Sequence, residues 1–136
     1  MAVGWALRVL TALGLVGSAW VHLVVWQDWA RDDDVVGPLF LVNVVAGPVL
    51  ALAVLAWRGH WLPELAAVAF GLATLGAYVL SLTVGFFGVA EQFRTDEEVW
   101  GVVTEAACAV FGAALLARRA PNAPRLLAGG GVGRRP

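Results

Sequence analysis

The sequence predicts an all-α protein: a bundle of four transmembrane helices with both termini cytoplasmic. Three observations carry that reading: an apolar composition, four runs of bilayer length, and a lopsided distribution of arginine. Of 136 residues, 60% are hydrophobic and 14% charged, and the mean hydropathy is +0.80, far from the balance of a soluble globular domain. A formal charge of -1 with no basic stripe gives no electrostatic reason to propose nucleic acid as a partner. Cys108 is the single cysteine, so no intrachain disulfide forms, and no CxxC or Cys/His cluster suggests zinc or redox chemistry.

A spanning helix needs roughly 20 mostly apolar residues. The first run, about 9–26, stops at QDWARDDD; the second, about 38–57, stops at RGH. The third, about 65–87, ends before GVAEQFRTDEE, and the fourth, about 99–117, ends at Arg118 and Arg119 with only Glu105 interrupting it. The first run is longer than the apolar region of a signal peptide and continues past its small residues into large ones, so it reads as a span. Together 1–119 form one transmembrane domain. The segment 120–136, containing PNAPRLLAGGGVGRRP, reads as a flexible basic cytoplasmic tail.

Four spans put both termini on one side, joined by the 58–64 loop. Arg8, Arg58, Arg118, Arg119, Arg125, Arg134 and Arg135 then face Arg31 and Arg94 across the bilayer, seven against two. Basic residues near span ends stay cytoplasmic, which fixes the expected orientation in a plasma membrane.

Depth follows from a rise of about 1.5 Å per helical residue. His22 lies four residues before Trp26, about 6 Å below the outer boundary. Asn43, five residues after Pro38, and Glu105, six after Val99, lie at about 8 and 9 Å; Ser81, six before Phe87, is level with Glu105. Tyr78 is one turn deeper. The faces agree: Ser18, His22 and Trp26 share one stripe, Thr74, Tyr78, Ser81 and Gly85 another, and Gly101, Glu105, Cys108 and Gly112 a third. Asn43 shares a face with Gly47. Small residues on these stripes let membrane helices approach closely, so the polar layer is expected to face inward.

His22, Asn43, Tyr78, Ser81 and Glu105 are therefore the candidate polar pocket. Two readings compete for them. In one they are interhelical hydrogen-bonding groups and the tryptophans around His22 form an aromatic belt. In the other Glu105, a carboxylate in a low-dielectric layer, pairs with His22 and marks a functional site. No cofactor is identified: His60 lies in the opposite loop and Met1 is the only methionine, so one chain offers no second axial haem ligand at that layer. A metal held by His22 and Glu105 alone is short of ligands. Gly47-Pro48 inside the second span is expected to kink it, Pro38 suits a helix start, and Asp32, Asp33 and Asp34 read as a solvated acidic loop. No GxSxG, Walker, HExxH or GxGxxG pattern occurs in suitable context.

The stretches HLVVWQDWARDDDVVGPLFLVNVVAG (22–47) and SLTVGFFGVAEQ (81–92), with an Arg-rich, lysine-free, Ala/Val/Leu/Gly-heavy composition, resemble uncharacterised small four-span integral membrane proteins of high-GC actinobacteria. The likeness covers roughly 5–118 and implies fold and membrane location only, with no activity or catalytic residue to carry over. Two functional readings follow from the residues. The first is a non-enzymatic accessory or small-ligand-binding module with an outward-facing polar pocket, its partners the lipid bilayer and a homo-oligomer or larger membrane complex. The second is an oligomeric proton-coupled transporter or channel using His22 and Glu105. An enzyme comes third, because no reaction is identified.

Overall fold

A computed structural model of the chain describes residues 2–90 and 96–119. Glu91, Arg94 and the tail at 120–136 lie outside the described residues. Four helices follow in order: α1 (Ala2–Asp28), α2 (Val36–Ala56), α3 (Leu62–Thr83) and α4 (Asp96–Arg119), with a short 3-10 turn, Ala30–Asp32, between α1 and α2. Their lengths of 21 to 27 residues correspond to about 32 to 40 Å, more than the ~30 Å hydrocarbon layer. All four are long and apolar enough to cross a membrane.

All four helices begin earlier than the apolar runs suggest, and for α1 and α3 charge is the reason. Arg8 and Glu64 mark the ends of uncharged stretches in the sequence, yet both lie inside helices and are buried. They neutralise each other across the bundle, so neither terminates its helix. Pro63 occupies a first-turn position of α3, where its missing N–H costs nothing.

The third helix ends earlier than expected, at Thr83 instead of Phe87. Hydropathy runs on through GFFGV, but Gly85 has φ +84° and its N–H returns to Leu80 O at 2.9 Å. Such a left-handed residue closes a helix C-terminus. A tight two-residue turn follows, in which Phe86 and Val89 exchange backbone hydrogen bonds of 2.8 and 3.0 Å. Phe87 and Gly88 turn the chain with φ of 48° and 88°.

At the other end of α2 the start is set by Asp33. Its Oδ1 accepts the N–H groups of Val35 at 2.9 Å and Val36 at 2.7 Å, satisfying donors that a helix start leaves open. α4 opens with Asp96, Glu97 and Glu98 and closes with Arg118 and Arg119, matching both ends of its dipole.

Packing is broad between α1 and α2, α1 and α4, and α3 and α4, whereas α2 and α3 touch little. Around the bundle the order is α2, α1, α4, α3, with an open seam between the first and last. The core is small: Ala12, Leu15, Ala51, Val54, Ala67 and Phe70 at its centre, with Cys108 and Leu115. Glycine makes this closeness possible. A Cβ on Gly71 would stand 2.5 Å from Glu105 O, and one on Gly47 2.6 Å from Leu15 O. α2 remains one helix through Pro48. Outside the core, Leu13, Trp20, Val45, Leu52, Leu72 and Val110 each leave more than half of their surface uncovered, as lipid-facing side chains do.

Candidate functional site

At the acidic end of the bundle, where α1 finishes and α4 begins, each helix contributes to one cavity of about 290 Å³. His22, Asn43, Tyr78, Ser81 and Glu105 all line it. α1 and α4 form its back, while α2 and α3 flank it at their open seam. Leu39, Val42 and Ala73 on the flanks are exposed, so the cavity reaches the surface that lipid would cover. Most of the wall is apolar, with Phe40 and Phe86 among its larger side chains and the first turn of α4, Glu97 and Glu98, at its rim.

His22 is held by its own helix. Its Nδ1 lies 2.8 Å from Ser18 O, and because a carbonyl only accepts, Nδ1 carries the hydrogen in this arrangement. Nε2 is thereby turned to Glu105, whose Oε1 is 3.8 Å away. That separation is an ionic contact if the ring is protonated, and too long for a hydrogen bond in any case. Phe40 packs on the imidazole with ring centres 4.8 Å apart, and Trp29 meets the Phe40 edge at 6.1 Å. So the histidine in WVHLVVWQDW sits between its own backbone, an aromatic wall and a carboxylate. Both sequence readings of it contain part of this arrangement.

Glu105 is buried, with 6% of its side chain exposed, and among the described residues no cation stands within hydrogen-bond distance of its carboxylate. Thr74, beside it, gives its hydroxyl to Phe70 O and Gly71 O. Ser81 departs from expectation in two ways. It is two residues from the end of α3 instead of six from the end of the span, because Gly85 closes the helix early. Its Oγ bonds Tyr78 O in its own helix at 2.7 Å, not a neighbouring helix. Among the described residues the Asn43 carboxamide makes no hydrogen bond to the protein. No three His, Cys, Asp or Glu side chains among the described residues converge as a metal site would require.

The opposite end holds a cluster that sequence reasoning missed. Glu64, fully buried, takes Arg8 Nη2 at 2.6 Å and both Nε and Nη2 of Arg119, the latter at 2.8 Å. The two-pronged contact with Arg119 is the strong geometry for a guanidinium and a carboxylate. The arginines also donate to main-chain carbonyls at the end of α2 and in the turn after it: Arg8 Nη1 to Val54 O at 2.6 Å, and Arg119 Nη2 to Arg58 O at 2.7 Å and His60 O at 3.1 Å. All four helices are tied together there. One sequence signal points to it: Glu64 is the lone acid at the arginine-rich end.

Comparison of the chain with protein-family models, with curated proteins and with solved structures gave no match.

Proposed function

We propose that this chain is a multi-pass protein of the plasma membrane, with cytoplasmic termini, that binds a small lipid-soluble molecule in the cavity at its acidic, outward end. It acts as a non-enzymatic binding or accessory module, alone, as an oligomer or in a larger membrane complex. Kinship with the small four-span actinobacterial proteins belongs to the same proposal. The observation that carries the binding reading is convergence. Four helices each bring polar side chains to one mostly apolar cavity, and among the described residues the Asn43 amide there has no hydrogen-bond partner. Sites for small molecules have this character, an apolar wall with a few placed polar groups.

Native mass spectrometry of the protein released gently from its own membrane tests the idea. A bound small molecule that disappears on Asn43→Ala and Glu105→Gln supports it. A chain that flies bare or only as a complex with another protein overturns the small-ligand part.

A second reading has one specific observation behind it, the His22 Nε2 to Glu105 Oε1 approach of 3.8 Å inside a spanning segment. A proton relay of an oligomeric transporter uses such pairs. Under that reading Glu105→Gln abolishes proton-dependent flux in proteoliposomes and leaves assembly intact.

A further inference from the structure

We infer that the arginine-rich end of the bundle binds the phosphate headgroup of an acidic phospholipid, such as phosphatidylglycerol, through Arg58 and Arg118. The inference concerns the end opposite the cavity and is independent of what the cavity binds.

Charge at this end is one-sided in the sequence itself. The stretches 1–8, 57–64 and 118–136 hold seven arginines and one acid, Glu64; the other nine acids fall in 28–34 and 91–105. Glu64 is fully buried and already bound by Arg8 and Arg119. Arg58 and Arg118 are exposed, and among the described residues neither meets a carboxylate. The stretch 120–136 has no Asp or Glu to lend them, so their counter-charge is not an acidic side chain of this end.

Arg58 is also fixed in place. Its main-chain carbonyl takes Arg119 Nη2 at 2.7 Å and Arg8 Nη2 at 3.4 Å, which hold the turn after α2 against α4 and α1. Its guanidinium lies over the Trp5 ring, 5.6 Å from the centroid. Stacking of this kind uses the flat face and leaves the N–H edge for a phosphate. Arg118 adjoins Arg119 in the last turn of α4, at the same end. The level is that of lipid headgroups: α2 stops at Ala56, just before Arg58, and Trp5, Trp57 and Trp61 are exposed there, in the manner of interfacial tryptophans. Further along the helices Leu52 on α2 and Leu65 on α3 are exposed, so a lipid whose phosphate meets the arginines lays its acyl chains on apolar surface. A soluble anion would gain only the first half of this arrangement, and basic side chains beside a membrane surface draw acidic lipid.

Phosphatidylglycerol and phosphatidylcholine with identical acyl chains isolate the headgroup from the tails. Each is titrated into the full chain in an uncharged detergent, and native mass spectrometry resolves the first bound lipid and its Kd. The expected result is a first phosphatidylglycerol held about tenfold or more tighter than the first phosphatidylcholine, from about fivefold per arginine. Arg58→Gln/Arg118→Gln brings the two lipids within about twofold of each other. Arg58→Lys/Arg118→Lys keeps most of the preference, because a point charge still serves a phosphate, and Arg31→Gln at the other end leaves it unchanged. Should the double Gln variant fail to fold, Arg58→Gln and Arg118→Gln are read singly, and each must weaken phosphatidylglycerol relative to phosphatidylcholine. Equal affinities in the parent overturn the inference. So does a preference that survives both Gln substitutions, or one that disappears instead with Arg125→Gln/Arg134→Gln/Arg135→Gln. Binding of soluble sn-glycerol 1-phosphate as tight as that of phosphatidylglycerol overturns the choice of a lipid as occupant.

Discussion

Glu64→Gln is the sharpest perturbation that the structure offers, because it removes one charge from the centre of a three-residue tie and changes little else in size. The parent carboxylate faces two guanidiniums. Arg119 is 31% exposed along its side chain and swings toward water when its partner is lost, so its share of the cost is that of a surface pair, up to about 1 kcal/mol. Arg8 cannot follow. Its side chain is 10% exposed, and it stays in place, held by Val54 O and facing a neutral amide. Breaking a buried pair from one side costs about 3 to 5 kcal/mol. Because Arg8 keeps its carbonyl contact, the lower part of that range applies, and the two shares together come to about 3 to 4 kcal/mol. That shifts the unfolding equilibrium by roughly two to three orders of magnitude. Reversible unfolding in mixed micelles, followed through the seven tryptophans, measures it directly. Arg31→Ala is the control, since Arg31 and Asp32 touch at 4.0 Å with both side chains largely exposed, and its loss is worth no more than about 0.5 kcal/mol. If Glu64→Gln is as mild as Arg31→Ala, the cluster does not tie the bundle as argued. A variant with Arg8→Met, Glu64→Leu and Arg119→Met recovers part of the loss, because no unpaired charge remains, but not all of it, because the Val54, Arg58 and His60 carbonyls lose their donors.

Helix contacts and caps yield further predictions. Gly71→Ala pushes a Cβ against the α4 backbone, 2.5 Å from Glu105 O and 2.9 Å from Ala109 N, and destabilises by about 1 to 3 kcal/mol. Gly101→Ala, whose nearest neighbour would be Val21 Cγ1 at 3.7 Å, stays within about 0.5 kcal/mol of the parent; equal effects in the same unfolding assay would refute the close packing of α3 on α4. Gly85→Ala forces a side chain into φ +84° and costs about 1 to 2 kcal/mol, with loss of helical signal at the end of α3. Asp33 titrates below the ordinary aspartate range, because the Val36 and Val35 N–H groups stabilise its charged form. A depressed folded value means that its contribution is present above the unfolded pKa and is lost as pH falls through the folded one. Carboxyl NMR of Asp33 checks this, and a midpoint at or above the ordinary range would remove it as the start signal of α2.

Four helices were legible because hydropathy reports the one requirement that lipid imposes, a long run of apolar residues with its backbone bonds satisfied internally. The layer of the cavity was legible for a related reason: rise per residue converts sequence position into depth, and the 3.6 period converts it into face. His22, Asn43 and Glu105 needed nothing more. What failed were inferences that treat a residue without its neighbours. Arg8 and Glu64 look like boundaries because a lone charge leaves the bilayer core, yet they are 56 positions apart in sequence and meet only once α1 and α3 are assembled. The end of α3 from which Ser81 was counted lies four residues earlier, because hydropathy does not see φ at Gly85. The widest gap is adjacency. Depth and face say that a side chain points inward at a given level, but not which helices stand side by side, and the cavity exists because, of the neighbouring pairs, α2 and α3 touch least. That separation has a cause in the glycines. Gly47 draws α2 onto α1 and Gly71 draws α3 onto α4, so each outer helix is committed to an inner one and the space between them at the acidic end is left to the polar side chains. Larger residues at either glycine would loosen that commitment. The cavity and the core are thus set by the same contacts, and Gly71→Ala should alter ligand binding as well as stability.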